Sequence, residues 1–476
     1  MPVARQNSRA RSAVPGWIGA AALVTLLASC SSPRASSEVV FWAMGSEAEV
    51  ADSVLDGFRR THPQIPVRVQ RVPWSAAHEK LLTAYVAGSM PDVFQLGNTW
   101  IAELAALGAL ERLDDRVAGS GASGESGEFR EPGKSDNSDK MTREDFFPGA
   151  LEPNLIDGEL VSLPWYVDTR ILFYRSDLLA AAGIAGAPRT WQQWRAAMQK
   201  VRASGKRYGV FLPIDEWQTP VLLALGAGAS LLRDNDGRGN FQSDEVRRAF
   251  GFYASLFADD LAPRGSDAQL ANLYREFAAG YFAFLVTGPW NLGEMKHRLP
   301  PELDGSWTTA PVPAPDDEDS AGSRTPGPSQ VPEAGGTGAS IAGGASLAVS
   351  SSSPRKDAAW QLVEYLVSPA VQAAFRERTG DLPSRRSAWD VHGQNDDDGD
   401  ERVRAFRTQL DHLAATPRVP EWERIAARIT LHLERVVRGD TDLDHGLADL
   451  DRDVDAILAK RRSLAGAAAR RRGDGA

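Results

Sequence analysis

The sequence predicts an α/β protein with two domains, and three observations support this fold class. The chain has 476 residues, which is more than a single hydrophobic core usually serves. Hydrophobic residues make up 42% of it, and its 13 Trp add further apolar surface for packed cores. Near the N-terminus, short apolar runs alternate with helical patterns. This order is typical of a parallel sheet covered by helices.

The first predicted elements are three strands with a helix between each pair. Apolar or alternating residues predict strands at 38–42, 65–69 and 93–96. Apolar residues at helical spacing predict the two helices at 47–60 and 74–87.

Later helices are predicted from residues that favour helix N-termini. Thr190 begins a T-x-x-Q capping box, and Ser243 precedes a second apolar helical pattern. Ser353 and Ser368 are each followed by Pro, which favours the first helical position. The region 401–460 is amphipathic and predicted to be helical.

Two stretches of low complexity interrupt the globular pattern. The segments 117–140 and 313–340 are rich in Gly, Ser, Pro and charged residues. Such segments cannot bury enough apolar area to hold one conformation, so both are predicted to be disordered insertions on surface loops.

The N-terminus has the pattern of a secretory signal. Three Arg precede an apolar stretch at 17–27 that is too short to span a bilayer. Leu27-Ala28-Ser29-Cys30 follows and resembles the bacterial lipobox, with Cys30 as the lipidated residue. We therefore predict a signal peptide at 1–29, a tether at 30–37 and a lipid anchor on the periplasmic or extracytoplasmic face of the cell membrane. The alternative is an ordinary signal peptide with a chance Cys.

Several classes of protein are excluded or unsupported. The net charge of −10 argues against nucleic-acid binding, and one Cys excludes disulfides and Cys-based zinc sites. Seven scattered His form no metal-binding pair, and no P-loop, G-x-S-x-G or G-x-G-x-x-G motif is present in a suitable context. No metal or cofactor is predicted. A glycosidase carboxylate pair stays open, because 63 acidic residues offer many combinations.

Six segments combine aromatic, polar and turn residues near predicted strand ends. They lie at 41–47, 91–98, 163–174, 287–291, 343–349 and 379–385. The most specific are P-W-x-x-D-x-R-x-L-x-Y from Pro164 to Tyr174, T-G-P-W from Thr287, and the Gly-Gly pair at Gly343. In order and spacing, these segments resemble the family 1 extracellular solute-binding proteins of ATP-driven importers, the group that includes maltose-binding protein.

This resemblance implies a two-lobe periplasmic-binding-protein fold, type II-like, with hinge strands and a central cleft. It places the first part of lobe 1 at 38–168, the first part of lobe 2 at 169–287, the second part of lobe 1 at 288–344 and the second part of lobe 2 at 345–476.

The resemblance and the chemistry of a sugar imply a set of ligand-binding residues. Aromatic rings cover the C–H face of a sugar, while carboxylates, amides and Arg bind its hydroxyls. The predicted set is Trp42, Glu47, Gln95, Asn98, Trp165, Asp168, Glu216, Trp217, Trp290, Asn291, Gly343, Gly344 and Arg385.

Structural roles stay open for the same residues. The three aromatic candidates Trp42, Trp165 and Trp290 also fit a core. Asp168 also fits a salt bridge with Arg170 or Arg175. Gln95 also fits a strand-to-strand hydrogen bond, Glu47 also fits a helix cap, and the two Gly also fit a hinge role.

The resemblance implies a monomeric substrate-binding lipoprotein that is not an enzyme. It would capture a small sugar or oligosaccharide and deliver it to the transmembrane subunits of an ABC permease. The alternatives are an extracellular carbohydrate-active enzyme, a sensor lipoprotein that presents its ligand to a membrane receptor, and a binding protein for a non-sugar ligand.

Overall fold

Two β-sheets organise the part of the chain described by the computed structural model, which covers residues 38–119, 141–205, 208–265, 272–316, 337–389 and 401–464. The strands of these residues are β1 Val39–Met44, β2 Val67–Val72, β3 Val93–Gly97, β4 Leu155–Ile156, β5 Glu159–Leu160, β6 Leu163–Asp168, β7 Ile171–Tyr174, β8 Tyr208–Phe211, β9 Leu232–Arg233, β10 Arg238–Gly239, β11 Phe282–Thr287, β12 Thr308–Ala310, β13 Ser340–Ile341, β14 Gly343–Val349, β15 Leu382–Pro383 and β16 Leu413–Ala414.

Helices cover both sheets. They are α1 Glu47–Thr61, α2 Trp74–Val86, α3 Ile101–Ala106, α4 Asp114–Gly119, α5 Pro148–Leu151, α6 Ser176–Ala181, α7 Trp191–Ala203, α8 Gln218–Gly226, α9 Asp244–Ala258, α10 Leu273–Ala278, α11 Trp290–Arg298, α12 Lys356–Leu366, α13 Pro369–Thr379, α14 Glu401–Leu410, α15 Trp422–Arg438 and α16 Leu443–Ile457. The two predicted helices at 47–60 and 74–87 are confirmed as α1 and α2 to within a residue at each end.

The larger sheet defines lobe 1 and has the strand order β15-β6-β14-β3-β1-β2 in the described residues. Its strands β2, β1 and β3 are parallel, as the alternation of strand and helix predicts. Strand β14 joins the same sheet antiparallel to both β3 and β6. Strand β14 re-enters this sheet from the other lobe and therefore runs the opposite way.

The smaller sheet defines lobe 2 and has the strand order β12-β7-β11-β8 in the described residues. Strand β11 is parallel to β8, whereas β7 is antiparallel to its neighbours β11 and β12. Buried side chains of helices α7, α9, α15 and α16 pack into one hydrophobic core with residues of this sheet. The C-terminal helices α15 and α16 therefore complete lobe 2.

Strand pairing confirms one predicted chain crossing and corrects another. The chain passes from β6 in the larger sheet to β7 in the smaller one at residues 169–170, close to the predicted position. The predicted return to lobe 1 at 288 is wrong, because β12 still pairs with β7. The return comes at β14, so residues 345–389 belong to lobe 1, where α12 and α13 pack against its core. The motif order identifies these segments but does not reveal which sheet each one joins.

Helix starts agree with most of the predicted caps. The hydroxyl oxygen of Thr190 accepts from the backbone N–H of Gln193 at 3.3 Å, and Ser243 caps α9 in the same way. Ser368 precedes α13, with Pro at the first helical turn. Ser353 does not cap α12, which begins at Lys356. Its hydroxyl instead donates to the buried carboxylate of Asp92 at 2.6 Å.

The start of the first predicted insertion and both ends of the second are among the described residues. Residues 117–119 complete α4, and Pro313 and Thr337 form an antiparallel bridge across the second insertion. The interiors of these insertions, and the predicted signal peptide with Cys30, lie outside the described residues.

Candidate functional site

The junction between the lobes brings the end of β6 against the start of β14. Asp168 and Gly343 are partners in the antiparallel register, and Gly344 faces Val167. Gly344 has a φ of +99°, and a β-carbon there would lie 2.4 Å from the carbonyl oxygen of Tyr166. Only glycine fits so close a backbone approach with this dihedral. The half-buried Asp168 carboxylate therefore lies where the chain passes between lobes.

A buried hydrogen-bond network holds Glu47 at the start of α1. The hydroxyl of Tyr166 donates to its Oε1, and the side-chain amide of Gln95 donates to the same oxygen at 3.4 Å. Gln95 is buried, and its own amide oxygen accepts from the backbone of Met44 at 2.7 Å. Gln95 therefore supports Glu47 rather than facing solvent.

Two indoles missed by the sequence analysis line lobe 1 beside Glu47. The Trp74 N–H donates to Oε2 of Glu47 at 3.4 Å, and the Trp74 and Trp100 ring centroids lie 5.6 Å apart. Glu47, Trp74 and Trp100 follow the carboxyl ends of β1, β2 and β3, and in a parallel sheet these ends share one edge. Ligands of open α/β sheets bind at that edge. The position of Trp74 directly after β2 was the signal that could have identified it.

Two further carboxyl groups, those of Asp168 and Asp381, lie at this junction. Burial, opposed in part by the charge of Arg170, raises the pKa of Asp168 from 3.8 to about 6. Burial also raises the pKa of Asp381 well above its usual range, and the charges of Glu47 and Asp168 act in the same direction. Asp381 precedes β15, which pairs with β6. Asp381 lies in the segment 379–385 identified in the sequence, but only strand pairing places this segment beside β6.

Lobe 2 contributes a guanidinium and the two indoles of Trp217 and Trp290, which are not fully buried. Arg170 lies 3.4 Å from the Glu216 carboxylate, and its guanidinium is 5.7 Å from the ring centroid of Trp290. Trp290 is 39% exposed, although most large hydrophobic side chains of the described residues are buried. Trp217 packs edge-on against Trp422 at 5.3 Å, and α15, which begins at Trp422, contacts residues 98–100 of lobe 1.

Some residues of the predicted ligand set have structural contacts instead. Trp165 is 0% exposed and lies 4.6 Å from the ring of Phe375, so it belongs to the core of lobe 1. Trp42 is also buried, with the Lys80 ammonium 4.5 Å from its ring centroid. Neither ring offers a free face to a sugar.

The polar members Asn98, Asn291 and Arg385 also bond within the protein. Asn98 donates to the carbonyl of Gly343 at 2.9 Å, which ties β3 to the junction. Asn291 is buried, and its side chain bonds to both Tyr274 and Thr287. These two bonds and its burial give Asn291 a structural role in the described residues.

Arg385 is 1% exposed and forms an ion pair with Asp145 at 2.6 Å. Its guanidinium also donates to the carbonyl of Val367 at 3.3 Å. This geometry corrects the predicted ligand contact of Arg385 to a structural role. The suggested salt bridge between Asp168 and Arg175 is also wrong, because Arg175 pairs with Asp177 at 2.7 Å.

The described residues contain neither a cluster of metal ligands nor a candidate membrane-spanning helix. In those ranges, no group of three or more His, Cys, Asp or Glu side chains could hold a metal ion. Across the same residues, no helix combines the length and apolar character required to cross a membrane.

Two lobes joined at a junction of indoles, carboxylates and one guanidinium define the class of hinged binding proteins for small solutes. The profile of the bacterial extracellular solute-binding protein family matches residues 44–373. The chain belongs to this family, whose members are binding proteins that act outside the cytoplasm.

Individual relatives agree with this assignment. The structure of the sugar-binding protein MalE from Xanthomonas citri has a TM-score of 0.78 and 43% identity, covering 90% of this chain and 98% of that one. The diacetylchitobiose binding protein DasA of Streptomyces coelicolor is 24% identical over 419 residues, covering 86% of this chain and 87% of its own. The GacH receptor of Streptomyces glaucescens shares the fold, with a TM-score of 0.69 and 24% identity over 89% of this chain and 98% of that one.

Proposed function

We propose that this chain is the substrate-binding lipoprotein of an ABC importer and that it captures a small sugar or oligosaccharide between its lobes. The observation that carries this proposal is the exposed indole of Trp290 beside the Arg170–Glu216 pair, at the junction that also holds Asp168. The names of the relatives from Xanthomonas citri and Streptomyces coelicolor support a saccharide as the ligand.

The chemistry of the junction fits the two kinds of surface on a sugar. The rings of Trp290, Trp74 and Trp100 offer flat apolar surfaces for C–H faces. The carboxylates of Glu47, Asp168 and Glu216 are acceptors for hydroxyl groups, and such charge-assisted bonds are stronger than neutral ones.

Delivery and anchoring belong to the same proposal. The ligand is released to the transmembrane subunits of an ABC permease, and the protein is held at the membrane by lipid on Cys30. Replacing Cys30 by Ala is expected to release the protein from the membrane fraction of the producing cell. Retention of the variant in that fraction would contradict lipid anchoring without affecting the ligand proposal.

A thermal-shift screen of the purified protein tests the ligand class. Maltose, maltotriose, N,N′-diacetylchitobiose and galactobiose are titrated over a wide concentration range. A sugar that binds only the folded state raises the melting temperature with concentration, by an amount that corresponds to about 2.7 kcal/mol at a hundredfold excess over Kd. The proposal fails if no saccharide in an extended panel gives such a shift.

Variants of two similarly exposed side chains locate the site. Trp290→Ala is expected to lower the affinity for each sugar found in the screen by about tenfold or more, because an indole stacking surface is lost. Leu431→Ala is the matched control, since Leu431 is 42% exposed and lies on α15 of lobe 2. Equal affinities for the two variants would contradict the assignment of Trp290.

In this proposed function, the protein releases the bound sugar without hydrolysing it. The raised pKa values of Asp168 and Asp381 are a property that a glycosidase acid would share. Incubating the protein with each bound oligosaccharide and analysing the products by chromatography is expected to show no hydrolysis. Release of monosaccharide that is abolished in Asp168→Asn would establish an enzyme instead.

A further inference from the structure

The buried hydroxyl of Tyr166 can donate in one direction only. The Gln95 amide oxygen accepts from the backbone N–H of Met44 at 2.7 Å, which fixes the orientation of the side-chain amide. Its NH₂ group therefore faces Tyr166 and donates to the phenol oxygen at 3.3 Å. Since that oxygen is an acceptor from Gln95, the phenol hydrogen goes to Glu47.

The second oxygen of Glu47 holds the indole of Trp74. Oε2 accepts from the Trp74 N–H at 3.4 Å and from the hydroxyl of Ser46 at 3.2 Å. An indole N–H is a donor only, so its direction follows the position of the acceptor. Gly45 lets the ring approach the backbone, because a β-carbon at that residue would lie 2.4 Å from Cδ1 of Trp74.

We propose that Tyr166 is a positioning residue that orients Trp74 as a stacking surface through the carboxylate of Glu47. Tyr166 is buried and acts without touching ligand. Its hydrogen bond fixes one oxygen of Glu47, and the other oxygen then fixes the indole that packs against Trp100. The role in sugar recognition rests on the proposed function, whereas the orientation of Trp74 can be measured without any ligand.

Fluorine NMR tests the orientation directly. In protein labelled with 5-fluorotryptophan, the Trp74 resonance is assigned by its loss in Trp74→Phe. Tyr166→Phe is expected to shift or broaden that resonance. The matched control is Tyr365→Phe in the same lobe, whose hydroxyl donates to the backbone oxygen of Val54 at 2.9 Å, and it is expected to leave the resonance unchanged.

An unmoved Trp74 resonance in folded Tyr166→Phe would overturn the proposal, whether or not a sugar binds. If Tyr166→Phe does not fold, Gln95→Met replaces it, because it removes the donor that directs the phenol. The same shift of the Trp74 resonance is then expected, and its absence counts equally against the proposal.

Binding to maltotriose and N,N′-diacetylchitobiose separates positioning from a merely structural role. Tyr166→Phe is expected to lower affinity about tenfold in the wild-type background but less than about threefold in the Trp74→Phe background, because the ring it orients is gone. Equal losses in both backgrounds would overturn the proposal. If the resonance moves as expected but no saccharide of any kind binds, the proposed function fails and the positioning of Trp74 stands.

Discussion

A β-carbon added to Gly343 would lie 1.8 Å from Oδ1 of Asp168. Residue 343 is the point at which the chain re-enters the larger sheet, and Asp168 ends the strand beside it. The space for the candidate ligand carboxylate is therefore created by the absence of a side chain on the neighbouring strand. The close approach of Gly343 to Asp168 therefore lies both at a chain crossing between the lobes and at the candidate site.

Gly343→Ala is expected to displace the Asp168 side chain and to weaken sugar binding by about tenfold or more. The strain is expected to cost about 1–3 kcal/mol of unfolding free energy, as overpacking in a filled site usually does. Gly186→Ala is the control, because a β-carbon there meets nothing within 4 Å. Calorimetric titration measures the sugar affinity, and urea denaturation measures the free energy of unfolding. Unchanged sugar affinity in Gly343→Ala would contradict the assignment of Asp168 as a ligand carboxylate.

The raised pKa of Asp168 predicts a dependence of stability on pH. The native state keeps this proton up to about pH 6, whereas the unfolded chain loses it near pH 3.8. Between these values the unfolded chain binds fewer protons, so the free energy of unfolding falls as the pH rises. A difference of roughly two pKa units corresponds to about 3 kcal/mol as an upper bound.

Asp168→Asn removes this titration and is expected to be more stable than the wild type above pH 6. The amide of Asn is neutral, so burial at this position no longer penalises a charge. The neighbouring side chains are unchanged; they are Glu47, Tyr166, Arg170 and Asp381. Denaturant titrations at pH 4 and pH 7.5 measure the change. Asp357→Asn is the control, because that side chain is 92% exposed. A parallel pH dependence in wild type and Asp168→Asn would contradict the prediction.

Arg385→Met is expected to destabilise the protein by about 3–5 kcal/mol, because it leaves the Asp145 carboxylate without its buried cation. Sugar affinity of the folded fraction is expected to stay unchanged. The neighbouring Arg386→Met serves as the control, since the Arg386–Asp411 pair is largely exposed and worth less than about 1 kcal/mol. If Arg385→Met keeps its stability but binds sugar more weakly, Arg385 is a ligand-binding residue.

Trp100→Ala is expected to weaken sugar binding about tenfold, because its half-buried ring extends the aromatic wall formed with Trp74. His78 also packs on this ring at 5.1 Å, so unfolding must be monitored in parallel. Leu107→Ala is the control, because Leu107 is 40% exposed and follows the other end of α3. Affinities that match between the two variants would remove Trp100 from the candidate site.

Local patterns were sufficient for most of the individual elements of the fold. Helix α1, helix α2 and the cap of α7 at Thr190 follow from apolar spacing and from the chemistry of a single hydroxyl group. Such features depend on neighbours within one or two turns of chain. The same reasoning failed for Ser353, because the carboxylate of Asp92, far away in sequence, bonds its hydroxyl group.

The candidate site could be predicted only in part. Glu47 and Asp168 lie at strand or helix ends in recognisable motifs, and both lie at the junction of the lobes. Trp165 and Arg385 belong to motifs of the same kind but are buried, because neighbouring helices and strands cover them. The sequence of a motif does not specify which of its side chains the rest of the chain will cover.

The amino-acid sequence by itself determined the α/β class, the limits of the first helices, the motifs of the solute-binding family and the first crossing between lobes. Each of these depends on short-range periodicity or on a contiguous motif. Only the tertiary structure decided the strand order of both sheets, the return of the chain at Gly343 and the meeting of Glu47, Asp168 and Asp381 around Tyr166. The pairing of Gly343 with Asp168 and the hydrogen bond from Tyr166 to Glu47 each join residues more than a hundred positions apart. Packing and burial select such contacts from many partners with the same local chemistry.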